Sequence, residues 1–376
     1  MIDPNTYLDS LLKNNITFFA GVPDSLLKQF CACVTDKCHK DDHTITANEG
    51  GAIGLAIGYH LGSGKIPMVY LQNSGLGNII NPLISLASKE VYGIPMIIII
   101  GWRGEPGIED EPQHTHQGRV MMDTLKSMEI PTYILDTNEE SAIKQTSSAI
   151  NEAYTKNTPV VIAVRKNTFD KYNSTKEEID LPLSREDAII TSTQELPKNA
   201  VVVCTTGMPS RELFEYRAMN NQGHHKDFLT VGGMGHASQI ALGIAKTQKD
   251  SMIYCFDGDG AALMHMGSLA IVGQSSASNL IHVLFNNGVH DSVGGQPTVG
   301  FEVDFCQIAK SCGYMSSTKV RTFTEIIESF NLLKEKPGPH FIEILVRPGN
   351  REDIGRPTSS PLDNKKLIME FLQNKI

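Results

Sequence analysis

The stretch SMIYCFDGDGAALMHMGSLA, Ser251 to Ala270, decides the fold class of this chain. Its apolar run, Met252 to Phe256, has the length of a buried strand, and helix-forming residues follow at once. Between the strand and the helix, Asp259 stands between two glycines. In doubly wound sheets ligands bind at the carboxyl ends of strands, and glycines let the backbone approach a phosphate closely. The stretch therefore predicts a phosphate-binding turn at the edge of a parallel sheet.

Apolar runs of strand length recur along the chain and alternate with helical patterns. The runs are ITFFAGV, PMVYLQN, PMIIIIGW, PTYILD and PVVIAVR up to residue 165, followed by AVVVCTTG, SMIYCFDG, LIHVLFNNG and PHFIEILVRPG. Continuous apolarity is typical of strands covered on both faces, and the intervening helices favour βαβ units. The sequence thus predicts an α/β fold with doubly wound parallel sheets.

The two halves of the chain resemble each other. Glu49 to Gly104 and Val231 to Gly288 both contain a double glycine, a helix of small residues, a strand, a Gly-rich turn, a helix and a further strand. The offset of about 184 residues favours two domains of one fold over a solenoid, whose repeats run ~20–50 residues. Lys166 to Asp187 is polar and poor in core residues. We predict an N-terminal domain at 1–170, a linker at 171–187 and a C-terminal domain at 188–376.

Composition excludes some classes of function. The chain has 376 residues, a net charge of −9 and no long basic run, which argues against nucleic acid or a membrane surface as a partner. The N-terminus shows no secretory signal, and IPMIIIIGW is far shorter than the ~20 residues of a spanning helix. Seven cysteines without CxxC pairs fit a reducing compartment. We expect a cytoplasmic protein that acts on a small molecule.

One cysteine cluster raises the question of zinc. The segment CACVTDKCHKDDH holds Cys31, Cys33, Cys38, His39 and His43. Its spacing matches none of the usual zinc ligand pairs. Because the segment follows SLLKQF, we expect the end of an amphipathic helix there rather than a metal site.

A second polar turn follows the next predicted strand of the chain. Asn287 follows the next strand, 28 residues after Asp259, so the two side chains should lie side by side at the ends of neighbouring strands. Gly258 and Gly260 allow a tight turn, and a helix starting near Ala261 offers N–H groups to an anion. A carboxylate, an amide oxygen and a backbone carbonyl suit Mg²⁺, which usually binds phosphates as well. We predict a metal-anchored diphosphate, and a solvated turn is the alternative.

Together, the motifs GDG, Gly258 to Gly260, and NN, Asn286-Asn287, resemble the signature of the thiamine-diphosphate-dependent enzymes. The resemblance implies two cofactors, thiamine diphosphate and magnesium, and a metal site made of Asp259, Asn287 and the backbone oxygen of Val289. It also implies cofactor contacts from the GDGA turn and from Gly233 and Met234 in VGGMGHAS. Met234 would prop the cofactor into a V shape, and a core methionine is the alternative.

The N-terminal half carries the rest of the resemblance. In TANEGGAIGLAIGYHLGSG, Glu49 stands where these enzymes have the carboxylate that hydrogen-bonds the cofactor's pyrimidine ring. A helix N-terminal acid is the alternative. Keto-acid decarboxylases of the family also carry an Asp after the first strand and a histidine pair after the third, which implies catalytic roles for Asp24, His114 and His116. Thr115 separates the two histidines. In the extended loop that we expect here, residues two apart point to the same side, so both could face the cofactor, and if only one does, His114 is our candidate.

Two features depart from the pyruvate-decarboxylase pattern. Val293 stands where that pattern has a glutamate six residues after the metal asparagine, so His290 or Asp291 would have to substitute as proton donor. The chain also lacks the third, central domain of most relatives.

Nearly the whole chain resembles one group of the family, the phosphonopyruvate and sulfopyruvate decarboxylases. The matching motifs include GVPDSLL, QNSGLGNIINPL, GWRGEPGIEDEPQH and NNGVHDSVGGQPT. The resemblance, closer to the phosphonate enzymes, implies decarboxylation of 3-phosphonopyruvate to phosphonoacetaldehyde in the biosynthesis of phosphonates such as 2-aminoethylphosphonate. It further implies a homo-oligomer with active sites between subunits.

A phosphonate dianion needs arginines, backbone N–H groups or hydroxyls. Ser25, Arg103 and Arg119 are our substrate-binding candidates, with Ser74, Asn78, Arg351 and Arg356 also plausible. The alternatives are sulfopyruvate decarboxylation, an acetolactate-forming enzyme and, from another class, a non-catalytic thiamine-binding subunit. A nicotinamide dehydrogenase and a P-loop hydrolase are disfavoured because neither glycine fingerprint is complete.

Overall fold

The computed structural model describes residues 1–174 and 179–373 of the chain. It divides the chain into two compact units, Met1–Glu177 and Glu178–Ile376. The division falls inside the segment predicted as a linker, 171–187. Residues 175–178 of that segment lie outside the described part, and residues 185–187 belong to a helix of the second unit.

The first unit alternates helices and strands. In chain order these are α1 (Pro4–Lys13), β1 (Phe19–Gly21), α2 (Lys28–Lys37), β2 (His43–Ile45), α3 (Glu49–Ser63), β3 (Met68–Gln72), α4 (Leu76–Pro82), β4 (Met96–Gly101), α5 (Pro112–Ser127), β5 (Thr132–Ile134), α6 (Glu139–Lys156) and β6 (Pro159–Val164). The strands form one six-stranded parallel sheet in the order β2-β1-β3-β4-β6-β5.

Strand β4 shows why its sequence reads as an uninterrupted apolar run. Successive side chains of a strand point to opposite faces of the sheet. Ile97 and Ile99 pack into one hydrophobic cluster of the unit, and Ile98 and Ile100 pack into another. Helices cover both faces, so every position along the strand is buried.

The second unit repeats this architecture. Its elements are α7 (Arg185–Gln194), β7 (Val201–Cys204), α8 (Met208–Met219), β8 (Asp227–Leu229), α9 (Ala237–Thr247), β9 (Ile253–Gly258), α10 (Asp259–Met264), α11 (Gly267–Gly273), β10 (Leu280–Asn286), β11 (Val289–His290), β12 (Gln296–Pro297), α12 (Phe305–Cys312), β13 (Ser316–Val320), α13 (Phe323–Leu333), β14 (His340–Leu345) and α14 (Pro361–Gln373). Its six-stranded parallel sheet has the order β13-β14-β10-β9-β7-β8, and β11 and β12 form a small antiparallel pair. The predicted fold class, two similar doubly wound parallel-sheet domains, is confirmed.

Among the described residues, the predicted runs miss three strands of the parallel sheets, β2, β8 and β13, and also the short pair β11 and β12. The first three lie at the edge of their sheets. Two of them, β2 and β13, are largely only part-buried, so their sequences lack the continuous apolar run of central strands. Partial burial thus explains why β2 and β13 lack this run.

The cysteine-rich segment near the N-terminus begins with the end of α2, which stops at Lys37, and it reaches β2 at His43, in line with the expected helix end. Cys31 and Cys33 lie within α2 and are buried in the hydrophobic core. His43 is in β2, where its Nε2 lies 2.8 Å from the hydroxyl of Tyr70. Over residues 1–174 and 179–373, no helix is both long and apolar enough to cross a membrane.

A pair of helical glycines in the second unit gives a test of this packing. A methyl group on Gly273 would lie 2.3 Å from the backbone oxygen of Cys312, whereas Gly243 has open space around it. We expect Gly273→Ala to lower the free energy of unfolding by about 1–3 kcal/mol, since a backbone atom must shift. The matched control Gly243→Ala is expected to raise it by roughly 0.5–1 kcal/mol. Urea denaturation measures both, and equal stabilities would contradict the packing described.

Candidate active site

The GDG turn lies at the carboxyl end of the second sheet. Strands β9 and β10 are parallel neighbours, so Asp259 and Asn287 follow adjacent strand ends, as the spacing predicted. Asp259 is the first residue of α10, two residues before the expected helix start. Its carboxylate is 2% exposed and accepts hydrogen bonds from the Thr298 hydroxyl and the Asn287 backbone. The structure therefore brings the two predicted side chains together.

The charge on Asp259 is poorly compensated. Burial raises the pKa of this carboxyl to about 6, although its hydrogen bonds act in the opposite direction. The ion pairs found within the described parts of the chain do not include it. A buried carboxylate without a counter-charge is unfavourable, and a divalent cation supplies such a charge. The residues at this turn fit a metal ion.

Asn287 is held on both sides of its amide group. Its Nδ2 donates to Asp291 Oδ2 at 2.7 Å, and its Oδ1 accepts from the Val289 backbone N–H at 3.3 Å. Asp291 in turn accepts from Arg185 Nη1 at 2.7 Å. This ion pair holds the carboxylate of Asp291 in place. His290, the other substitute suggested for the missing glutamate, is buried, which lowers the pKa of its imidazole to about 4.

Small residues line the turn because side chains crowd it. A methyl group on Gly260 would lie 2.8 Å from His290 Cε1 and 3.3 Å from Met234 Cε. Gly233 adopts a positive φ of 65° just before Met234. Met234 is half-buried, with its terminal methyl group directed at the GDG turn. The double-glycine segment and the GDG turn are thus neighbours in the fold.

Asn286 anchors the loop around Gly300, which packs on Asp259. Its Nδ2 donates to the Gly300 carbonyl at 2.6 Å and to Glu343 Oε1 at 2.8 Å. A methyl group on Gly300 would lie 2.5 Å from Asp259 Oδ2, so the loop backbone packs directly on the carboxylate. No sequence pattern indicated Thr298 or Glu343, because their partners are 39 and 57 residues away along the chain.

Glu49 lies at the first turn of α3 in the other unit. The helix is capped by Asn48, whose side chain accepts from the Gly51 N–H at 2.8 Å. Glu49 is only 5% exposed, and its Oε2 accepts from Asn78 Nδ2 at 2.7 Å. A methyl group on Gly75 would lie 2.3 Å from Oε1. The acid is therefore both a helix N-terminal residue and a buried carboxylate with a neutral partner.

Asp24 follows β1 and is fully buried. Its Oδ1 accepts from the Leu26 and Leu27 backbone N–H groups, and its Oδ2 accepts from Gln72 Nε2 at 2.7 Å. Burial raises the pKa of Asp24 above its ordinary value. A methyl group on Gly101 would lie 1.9 Å from Oδ1, so this close approach requires a glycine. Asp24 thus sits at the carboxyl ends of β1, β3 and β4.

Asp110 organises the loop after β4. It pairs with the Arg103 guanidinium through Nε at 2.7 Å, and His114 Nδ1 lies 3.0 Å from its Oδ1. Although burial acts in the other direction, these hydrogen bonds hold the pKa of Asp110 well below its usual range. Arg103 Nη1 also donates to the Ser25 hydroxyl at 2.6 Å. Asp110 was not among the predicted site residues, and its position in the acidic run IEDEP was the signal that could have indicated it.

The expectation of an extended loop around the histidine pair was wrong. Both histidines lie in α5, which Pro112 begins as its first residue, a position that suits proline. Residues two apart on a helix point in different directions. His114 turns towards Asp110, whereas His116 is exposed, with its Nδ1 2.9 Å from the guanidinium of Arg119. The structure therefore does not bring the two histidines to the same side.

Comparison with known proteins identifies both units. A model of the thiamine pyrophosphate enzyme N-terminal TPP binding domain matches residues 5–130. A model of the thiamine pyrophosphate enzyme C-terminal TPP binding domain matches residues 205–344. Each match lies within one of the two structural units.

Three relatives match nearly the whole chain. The phosphonopyruvate decarboxylase of Streptomyces viridochromogenes is 34% identical over 95% of this chain and 91% of its own length. That of Streptomyces hygroscopicus is 32% identical over 99% of this chain and 94% of its own. The sulfopyruvate decarboxylase of Methanosarcina acetivorans is 29% identical over 100% of this chain and 99% of its own. The chain therefore belongs to the thiamine-diphosphate-dependent decarboxylases, in the group that contains the phosphonopyruvate and sulfopyruvate decarboxylases.

Proposed function

We propose that this enzyme decarboxylates 3-phosphonopyruvate to phosphonoacetaldehyde and carbon dioxide, as a step in the biosynthesis of phosphonates such as 2-aminoethylphosphonate. The observation that carries the proposal is the convergence of Asp24, Ser25, Arg103 and His114 at the carboxyl edge of one sheet. Two relatives named as phosphonopyruvate decarboxylases support the substrate, at 34% and 32% identity.

Magnesium and the diphosphate would be held in the second unit. We propose Asp259, Asn287 and the backbone oxygen of Val289 as the metal ligands, with the turn Gly258 to Ala261 beside the diphosphate. The uncompensated carboxylate of Asp259 supports this assignment. The proximity of Met234 to Gly260 supports cofactor contacts from Gly233 and Met234.

The first unit would supply the acid–base groups. When bound, thiamine diphosphate accepts the electrons that decarboxylation leaves behind. We propose that Glu49 hydrogen-bonds the pyrimidine ring. His114 is fastened to Asp110 at Nδ1, which leaves Nε2 as the atom that exchanges a proton with the substrate. Asp24, with its raised pKa, would hold a proton near neutral pH better than an exposed aspartate does.

Arg103 is the better supported of the two proposed phosphonate ligands. Its side chain is 17% exposed and is fixed by Asp110 and Ser25, so it presents a pre-ordered cation next to a hydroxyl group. Arg119 and His116 lie on the exposed side of α5. We still propose Arg119 as a substrate-binding residue and His116 as a catalytic residue.

We also propose that the enzyme is a cytoplasmic homo-oligomer. Leu55 and Leu61 of α3, together with Ile84 and Leu86 after α4, are 39%, 71%, 46% and 41% exposed. Exposed apolar side chains of this kind are found where proteins associate, and they support our proposal of a homo-oligomer with active sites between subunits. The cysteines are all free thiols, which supports a cytoplasmic location.

Release of carbon dioxide from a set of keto acids tests the function. We expect rapid turnover of phosphonopyruvate with thiamine diphosphate and Mg²⁺ present, slow turnover of sulfopyruvate and pyruvate, and loss of activity when the metal is chelated. The sulfonate carries one charge fewer than the phosphonate dianion, so a site built around Arg103 should prefer the phosphonate. A preference for sulfopyruvate would favour the function of the Methanosarcina acetivorans relative, and no turnover of any keto acid would contradict the proposal.

A further inference from the structure

A buried cluster of three charged side chains lies behind Asn287. Arg185 donates from Nε and Nη2 to Glu212 Oε2 and Oε1, both at 2.9 Å, and from Nη1 to Asp291 Oδ2 at 2.7 Å. The side chains of Arg185, Glu212 and Asp291 are 5%, 1% and 10% exposed. The cluster joins the first residue of α7, the helix α8 and the turn that follows β11.

Such a cluster is not explained by stability alone. Removing charged groups from water is unfavourable, and a buried ion pair is often no more stabilising than apolar residues of the same size. The cluster also carries one acid more than it has bases, which leaves a net negative charge beside the candidate metal site. A role in holding a neighbouring group in one orientation accounts for both features.

The neighbouring group is the amide of Asn287. An ionised carboxylate accepts hydrogen bonds and cannot donate them. Asp291 Oδ2 therefore accepts a hydrogen bond from Asn287 Nδ2 at 2.7 Å. The flipped amide is excluded, because it would place the amide oxygen of Asn287 against the carboxylate oxygen of Asp291. Asp291 is itself fixed, because the Gly349 N–H donates to its carboxylate at 3.1 Å and Arg185 donates from the other side.

We infer that Asp291, anchored by Arg185, is a positioning residue that fixes the amide oxygen of Asn287 as a metal ligand. The inference rests on the proposed function, since it takes Asn287 as a ligand of Mg²⁺. It replaces the role of proton donor that the sequence suggested for Asp291. Partners behind a metal ligand orient it, and their loss commonly weakens metal affinity by about 10–100-fold.

Two variants of the same cluster separate positioning from charge. Asp291→Asn and Glu212→Gln remove the same charge from the same cluster, but only Asp291 contacts Asn287. Asp291→Asn leaves Arg185 paired with Glu212, so we expect the variant to fold. We expect it to raise the Mg²⁺ concentration that half-saturates thiamine diphosphate binding by about 10–100-fold, with Glu212→Gln close to wild type.

Binding is measured by isothermal titration of the apoprotein with thiamine diphosphate at a series of Mg²⁺ concentrations, without substrate. An unchanged Mg²⁺ requirement in Asp291→Asn would overturn the inference, and so would an equal increase in Glu212→Gln, which would assign the effect to charge. Should Asp291→Asn not fold, Arg185→Lys takes its place, because lysine cannot hold both carboxylates in the same way, and it is expected to raise the requirement as well. A wild-type protein that binds no cofactor with Mg²⁺ would contradict the proposed function itself.

Discussion

Glu49→Gln is expected to lower the rate of decarboxylation by about 10²–10⁴-fold while the protein stays folded. Glutamine has the shape of glutamate and still offers an oxygen to Asn78, but it cannot support a shift of the proton on a bound ring nitrogen. The carboxylate is 5% exposed and its hydrogen-bond partner Asn78 is neutral, so replacing it leaves no buried charge unpaired. Steady-state turnover at saturating cofactor measures the effect.

The matched control for this variant is Glu105→Gln. Glu105 is a part-buried acid of the same unit whose carboxylate pairs with Arg165 at 2.8 Å, on a part of the loop after β4 that the proposal gives no role. We expect its turnover to stay within a few-fold of wild type. Binding of thiamine diphosphate to Glu49→Gln, measured by titration, shows whether the cofactor still enters. Wild-type turnover in Glu49→Gln would remove the proposed mechanism.

Asp259→Asn is expected to abolish the stabilisation that Mg²⁺ and thiamine diphosphate give to the wild-type protein. Since we propose Asp259 as a direct metal ligand, its loss should weaken cofactor binding by more than about 10–100-fold, the range typical of residues that only orient a ligand. Without metal, the variant should be at least as stable as wild type, because it no longer buries a carboxylate whose pKa burial raises to about 6. The two effects have opposite signs, which a general defect in folding cannot produce.

Thermal unfolding with and without metal and cofactor measures both effects. A ligand that binds the native state raises the midpoint with its concentration, so wild type should shift and Asp259→Asn should not. Asp250→Asn, an exposed site just before β9, serves as the control and should shift like wild type. If Asp259→Asn made the apoprotein markedly less stable, the carboxylate would stabilise the fold itself. That result would contradict a site in which a bound cation balances the charge of Asp259.

The sequence by itself determined the fold class and the central strands of both sheets, and it predicted a site where β9 and β10 end. Central strands such as β4 and β10 are covered on both faces, so burial imposes an uninterrupted apolar run that can be read directly. The adjacency of Asp259 and Asn287 also follows from the sequence, because one βαβ unit places consecutive strand ends side by side. Glu49 was singled out through the family resemblance, and the structure shows it buried next to the neutral side chain of Asn78.

Only the tertiary structure decided which side chains hold the site residues in place. Pro112 begins a helix, and the helix turns His114 to Asp110 and His116 to the exposed side, which no spacing in the sequence reveals. Arg185 meets Asp291 across 106 residues of chain. Contacts of this kind depend on how helices and loops pack on a finished sheet, and a hydrogen bond requires a distance and an angle that local patterns of residue type do not encode.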